Sequence, residues 1–309
     1  MKILGIGNAI VDVICKVDES FISKNGLTKS TMKLIFDENE FKKLLTNLKI
    51  EKTVSGGSVA NSIVGISQLG NKVGFIGKVS DDEFGSKYEE GLKNENVEYL
   101  YSKKKEKLPT GTCLILVTPD SERTMCTFLG IAGNINENDV NSDAIKKSEL
   151  IFLEGYLWDE GDPKKAFDKA IKSAKKVAMS LSDQFCVDRH KSHFLELVKY
   201  KLDITFANEQ EMRSLIDAKN FDDIVNFSRQ INKLVVITRG EKGAVAILGE
   251  NIIEFGIQKN LKIVDLTGAG DLFAAGFLHG YINRLSIKES LEKGTDLSSK
   301  IIQQIGARL

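Results

Sequence analysis

The chain of 309 residues carries 43 basic and 43 acidic side chains, so no net field draws it to nucleic acid or to an anionic membrane surface. That length buries a large core, as one big α/β domain or as a domain with an appendage. Its four cysteines (Cys15, Cys113, Cys126, Cys186) form no CxxC pair, and the chain shows neither a long apolar leader nor a membrane-length apolar run, which points to a soluble cytoplasmic protein with reduced thiols.

Lys2 to Gly7 reads as a buried strand. Gly5-Ile6-Gly7-Asn8 invites a dinucleotide fingerprint, but Ile10 stands where the third glycine belongs. Val11, Val13, Cys15 and Val17 then alternate with polar residues, which is strand periodicity and not the helix that such a turn opens. What remains is Asn8 and Asp12 at the end of a first strand, an amide and a carboxylate suited to sugar hydroxyls or to capping a turn. A short strand (Met32 to Phe36) and a helix around Glu38 to Leu48 follow. Gly56-Gly57 opens a helix that reaches about Leu69. Two glycines let backbone amides touch a small ligand, and Asn61 lies one turn in. Val73 to Val79 is a strand, and a capping pattern from Ser80 precedes a helix to about Asn94.

Between Val97 and Leu129 the pattern changes to a β-hairpin, Thr112 to Val117 and Arg123 to Phe128, turned at Thr118-Pro119-Asp120. Strands without helices between them do not fit a βαβ core. With the strands at 11–17 and 31–36 they predict a small separate sheet, a lid over the ligand edge built from about 11–36 and 97–130 within a single domain of 1–309. From about Ile135 the alternation is regular: strands at Leu150 to Leu153, Val177 to Leu181, Ile204 to Ala207 and Leu234 to Thr238, with helices at Asn141 to Ser148, Pro163 to Lys175 and His190 to Val198. This is the signature of a parallel sheet covered on both faces. Arg239-Gly240-Glu241-Lys242-Gly243 turns tightly into Ala244 to Leu248. Cys186, His190 and His193 lie close together but lack a second ligand pair, a weak zinc signal.

Lys262 to Leu266 reads as a short strand meeting Thr267-Gly268-Ala269-Gly270-Asp271, which opens a helix through Tyr281. Gly268, Ala269 and Gly270 leave their amides bare at the positive end of that helix, an anion site. Asp271 alone would be read as a helix cap. Beside a nest of donors it suggests a base for the hydroxyl that attacks a phosphoryl group.

Asp265-x-Thr267-Gly268-Ala269-Gly270-Asp271 resembles the C-terminal signature of the ribokinase (PfkB) family of sugar and nucleoside kinases. Gly56-Gly57-x-x-x-Asn61 resembles the family's N-terminal signature, and Gly5-x-Gly7-Asn8-x-x-x-Asp12 its first strand. Asn208-Glu209-Gln210-Glu211 is similar to its Asn-x-x-Glu element, and Thr238-Arg239-Gly240-x-x-Gly243 to its nucleotide-binding turn. The resemblance implies a ribokinase-like three-layer α/β/α sandwich, with a mostly parallel central sheet and a small β-sheet lid. It implies ATP as donor, Asp271 as general base, and the amides of Gly268, Ala269 and Gly270 around the transferring phosphoryl group. Asn8, Asp12, Gly56, Gly57 and Asn61 would grip a ribose-like set of hydroxyls. Asn208 and Glu211 would hold Mg²⁺ and phosphates through water, although helix capping after a strand explains Asn208-Glu209 equally well. Thr238, Gly240 and Gly243 would line the nucleotide, and Asp265 with Thr267 would face K⁺.

Three features lean towards the adenosine-kinase-like branch: Gly7-Asn8-Ala9-Ile10-Val11-Asp12, the Thr110-Gly111-Thr112 and Thr118 to Met125 hairpin, and Leu153-Glu154-Gly155-Tyr156-Leu157-Trp158. A nucleobase needs flat apolar walls, and Tyr156, Trp158 or Phe128 could stack there or merely pack. The expectation is an ATP-dependent kinase, monomer or homodimer, acting on the 5′-hydroxyl of a nucleoside, adenosine first. A ribose or other sugar kinase is the alternative, and a non-catalytic nucleoside-binding protein is the reading from another class.

Overall fold

The computed structural model describes residues 1–46, 48–120 and 122–309. In chain order its strands are β1 (Ile3–Ile6), β2 (Ile10–Lys16), β3 (Met32–Leu34), β4 (Ile50–Gly56), β5 (Val73–Ile76), β6 (Val97–Tyr99), β7 (Gly111–Val117), β8 (Arg123–Phe128), β9 (Leu150–Glu154), β10 (Val177–Ser180), β11 (Ile204–Asn208), β12 (Leu234–Thr238), β13 (Ala244–Leu248) and β14 (Asn251–Phe255). Nine of them form one sheet in the order β14-β13-β12-β11-β10-β9-β1-β5-β6, and five a smaller sheet in the order β3-β8-β7-β2-β4.

The large sheet is parallel from β12 to β6 and ends in the antiparallel β12-β13-β14 edge. β1, β5 and β9 are buried along their whole length. Helices cover both of their faces, which is why their sequences are unbroken apolar runs and do not alternate. β1 has β5 on one side and β9 on the other, so the chain winds outward from it in both directions. The crevice beyond the carboxyl ends of β1 and β9 is therefore the switch point where such sheets bind ligands.

The small sheet alternates instead. Val11, Val13 and Cys15 of β2, with Leu114, Leu116, Cys126 and Phe128, enter the core that also holds Phe152, Phe206 and Phe277 of the large layer. The opposite face, at a period of two, carries Ile10, Asp12, Ile14, Cys113, Ile115, Val117, Arg123 and Met125. A second core under the other face of the large sheet gathers Leu4, Ile6, Leu153, Trp158 and Phe194. The helix Ser58–Gln68 packs on the helix Ala269–Ile282 at Gly65, where a Cβ would lie 2.9 Å from Leu272 Cδ1 and 3.0 Å from Ala275 Cβ.

Four expectations change. β4 joins the small sheet although no strand was expected there, and β6 belongs to the large one. Lys262 to Leu266 is not a strand. The β13-β14 hairpin already ends the sheet on that side, so the amides of Val264 and Asp265 donate to the Ile302 carbonyl at 2.8 and 3.2 Å, leaving Ile263 and Leu266 exposed. The helix expected from His190 begins at Gln184 and kinks at His190.

Candidate active site

The floor of the crevice is made by residues just past β1 and at the end of β9. Asn8 donates from Nδ2 to Glu154 Oε1 at 3.0 Å, and the Val59 amide donates to Glu154 Oε2 at 3.0 Å. Burial pushes the Glu154 carboxyl up to about 7, against the pull of those donors. Asp12 likewise rises to about 7 through burial, opposed first by the charge of Arg308. β4 reaches this floor through Gly56 and Gly57. A Cβ on Gly56 would run into the Asp12 carboxylate, and one on Gly57, held at φ +102°, into the Asn8 carbonyl. Only glycine allows that approach. Asn8 Oδ1 is buried and has no partner among the described residues.

Asp271 lies in the first turn of the helix Ala269–Ile282, whose N-cap is Gly268 at φ 79° with no side-chain cap. Its carboxylate therefore does not cap its own helix. Oδ1 accepts from Ser58 Oγ at 2.6 Å and Oδ2 from Asn61 Nδ2 at 3.0 Å, while the Asp271 carbonyl accepts from Ser62 Oγ at 2.9 Å. Burial raises its proton affinity, and the hydrogen bonds from Ser58 and Asn61 and the Arg308 charge act against it. The Ala269 amide closes the turn onto the Leu266 carbonyl at 3.2 Å. One of the three amides expected to face an anion is thus partly spent, while the next first-turn amides lack an intrahelical acceptor.

Asn208 and Glu211 form a closed capping box. Asn208 Nδ2 donates to Glu211 Oε1 at 2.6 Å, the Asn208 amide to Oε2 at 3.0 Å, and the Glu211 amide returns to Asn208 Oδ1 at 2.8 Å. Burial lifts Glu211 to about 7, and the negative charge of Asp183 adds to this. Among the described residues no group of three or more His, Cys, Asp or Glu could hold a metal. The donor set fits a Mg²⁺ carried in by nucleotide phosphates with water and a carboxylate, not a closed protein cage. Thr238 pairs in register with Asn208 at the sheet's carboxyl edge, next to the 3₁₀ turn Gly240–Lys242. Gly240 and Gly243 take φ 55° and 82°. Arg239 bonds Glu209 Oε2 at 2.9 Å and stacks 3.5 Å over Phe221.

Asp265 is engaged on both oxygens. Oδ2 accepts from Arg123 Nη1 at 2.7 Å and from the Gly306 amide at 2.9 Å; Oδ1 accepts from the Thr267 amide and hydroxyl at 3.0 and 2.7 Å. Although burial works upward, these donors hold its carboxyl below the usual range. Two of the three aromatic candidates are packing. Trp158 lies buried 4.6 Å from the His190 ring and 4.8 Å from the half-buried His193, so both histidines pack against it, His190 within the core. Phe128 stacks on Phe41 at 5.4 Å behind the small sheet. Tyr156 stays 39% exposed and feels the charges of Asp183 and Asp271. Sequence reasoning gave no role to Ser58, Arg123, Glu154, Asp183 or Arg308. Glu154, a charge closing an apolar strand, was the one with a signal.

Comparison with known proteins adds to this geometry. The family described as pfkB family carbohydrate kinase matches residues 13–309. The structure of adenosine kinase from Sinorhizobium meliloti is 37% identical with a TM-score of 0.90, covering 100% of this chain and 95% of that one. That of a probable sugar kinase from Rhizobium etli CFN 42 is 35% identical with a TM-score of 0.89, covering 99% and 94%. A 5-dehydro-2-deoxygluconokinase from Clostridium botulinum is 28% identical over 284 residues, covering 86% of this chain and 84% of the relative.

Proposed function

Because the chain belongs to the pfkB family of carbohydrate kinases, an ATP-dependent group acting on alcohols, we propose that it transfers the γ-phosphoryl group of ATP to the 5′-hydroxyl of a nucleoside, adenosine first. One observation carries the choice of acceptor. Asp12 pairs in register with Cys113 on a face of the small sheet that also carries Ile10, Ile14, Ile115, Val117 and Met125, with Arg123 beside Val117 at its far end. A carboxylate for ribose hydroxyls beside an apolar wall suits a sugar that carries a base. The small sheet would then act as a lid over the acceptor.

In this reading Asn8, Asp12, Gly56, Gly57 and Asn61 hold the ribose, with Tyr156 at the mouth. Asp271 takes the proton of the 5′-hydroxyl as its oxygen bonds to the γ-phosphorus. The bond from that phosphorus to the bridging oxygen breaks, and ADP leaves. Free amides of the Gly268-Ala269-Gly270 turn stabilise the equatorial oxygens. Asn208, Thr238, Gly240 and Gly243 line the nucleotide. Mg²⁺, when bound with it, neutralises phosphate charge; Glu211 and Asp183 would hold it through water. Potassium at Asp265 and Thr267 would have to share a carboxylate that Arg123 and Gly306 already engage, and rates with and without KCl test this. In this reading the reaction runs in the cytoplasm, where ATP is available.

A sugar acceptor is the second reading, favoured by the sugar-kinase names of two relatives. A coupled ADP-release assay over adenosine, inosine, guanosine, ribose and fructose decides. Turnover of adenosine well above the sugars is expected; turnover of free sugars alone overturns the nucleoside assignment.

A further inference from the structure

Beyond the helix Ile287–Ile301 the chain turns back over the phosphate turn. Three contacts pin residues 306–309 there. The Gly306 amide donates to Asp265 Oδ2 at 2.9 Å. A Cβ on Gly268 would lie 2.7 Å from both Cα and Cβ of Ala307. Gln68 Nε2 donates to the Leu309 carbonyl at 3.3 Å. Arg308 thus has its backbone fixed on both sides.

Its side chain runs inward. Nε donates to Asn61 Oδ1 at 3.0 Å, while Asn61 Nδ2 donates to Asp271 Oδ2 at 3.0 Å. The guanidinium therefore fixes which way the Asn61 amide faces, and with it the donor that steadies the Asp271 carboxylate. Its positive charge acts on Asp12, Asp271 and Tyr88, and the Tyr88 hydroxyl in turn bonds the Gly56 carbonyl at 3.2 Å. Arg308 is thus placed among the residues that bound the acceptor crevice.

Two buried polar atoms here lack partners among the described residues: Arg308 Nη2, a donor, and Asn8 Oδ1, an acceptor. Buried donors, charged ones above all, are normally paired. A ligand with a hydroxyl hydrogen for Asn8 and an oxygen lone pair for Arg308 would satisfy both. Vicinal hydroxyls offer that combination, since each hydroxyl both donates and accepts.

We propose that Arg308 is a binding and positioning residue of the acceptor site, donating through Nη2 to an oxygen of the bound hydroxylated acceptor and orienting Asp271 through Asn61. This rests on the phosphoryl-transfer reading and extends it to a residue outside every motif of the chain. The guanidinium also offsets the two carboxylates that face the acceptor, so that an electron-rich sugar can enter between them.

The test compares wild type with Arg308→Gln and Arg308→Lys, varying acceptor and ATP separately, with pH profiles. Arg308→Gln is expected to raise the acceptor KM about tenfold or more and to leave the ATP KM within about twofold. Loss of the charge lets Asp12 and Asp271 protonate at higher pH, so the acidic limb of kcat/KM moves upward. Arg308→Lys keeps the charge but not the planar fork; the limb stays in place and the acceptor KM still rises. An unchanged acceptor KM and acidic limb in Arg308→Gln overturns the proposal, as does a change confined to the ATP KM. Should Arg308→Gln not fold, an unchanged acceptor KM in Arg308→Lys overturns it alone. Calorimetric binding of adenosine or ribose without ATP separates this from the kinase reading. Wild type that binds but never phosphorylates, with binding weakened in Arg308→Gln, sinks the kinase reading and keeps Arg308 in the site. Equal affinities in an active enzyme do the reverse.

Discussion

Burial raises the proton affinity of Asp12, Glu154, Glu211 and Asp271 together, and the consequence depends on what each group must do. A base must be ionised, so the acidic limb of activity is expected above the ordinary aspartate range. Asp271→Asn should lower kcat by roughly two to four powers of ten while calorimetry finds acceptor and ATP still bound; retained turnover would remove the base assignment. For stability the sign follows from linkage. The unfolded chain releases these protons near pH 4, whereas folded Asp12, Glu154 and Glu211 hold them up to about 7. Stability they contribute below pH 4 is therefore lost as pH rises to about 7. The ligand-free protein should melt at a higher temperature at pH 5 than at pH 8, measured by differential scanning fluorimetry in matched ionic strength. Asn8, Asp12, Asn61 and Asp271 were legible because small-residue turns flag them. Ser58 and Arg308 were not, and Glu154 showed only as a charge closing an apolar strand, because a single residue acquires its partner only through the fold, from 95 to 247 positions away for the Val59–Glu154 and Asn61–Arg308 bonds.

Two helices set the base. Gly65 lets the helix Ser58–Gln68 lie against Leu272 and Ala275, and that closeness brings Ser58, Asn61 and Ser62 onto Asp271 one to two turns away. Gly65→Val forces the pair apart. It should cost about 1–3 kcal/mol in urea unfolding, the usual penalty of overpacking, and lower kcat more than it raises the ATP KM. Wild-type stability and kcat in that variant would show that the spacing is immaterial. Element by element, buried parallel strands were readable as apolar runs, but edges were not. β4 is mostly exposed over Ile50-Glu51-Lys52-Thr53, and β14 sets only the half-buried Ile253 and Phe255 against the core, so neither reads as a buried strand. Lys262 to Leu266 misleads in the other direction: its apolar residues meet solvent and the Ile302 carbonyl, not a neighbouring strand. Hydrophobicity reports burial, and edges have little of it.

At the scale of the molecule, helix–strand alternation sufficed for the layered architecture, while strand order, which creates the switch point between β1 and β9, left no mark in local pattern. The two sheets share one core, with Val11, Phe41 and Leu114 in contact with the same cluster as Phe152 and Phe277. Scanning calorimetry should accordingly show one transition with equal calorimetric and van't Hoff enthalpies; two separate transitions would mean that the small sheet melts by itself. The return of residues 306–309 over Gly268 has a last consequence, in time and not in space. Synthesis proceeds at about 5–20 residues per second, so Asn8 and Asp12 leave the ribosome many seconds before Arg308. A nascent chain with Asp271 already emerged still lacks the guanidinium opposite its carboxylates. Assembly of the acceptor crevice thus waits on a stretch made long after Asn8 and Asp12, and until then the growing chain holds its two acids without their counter-charge.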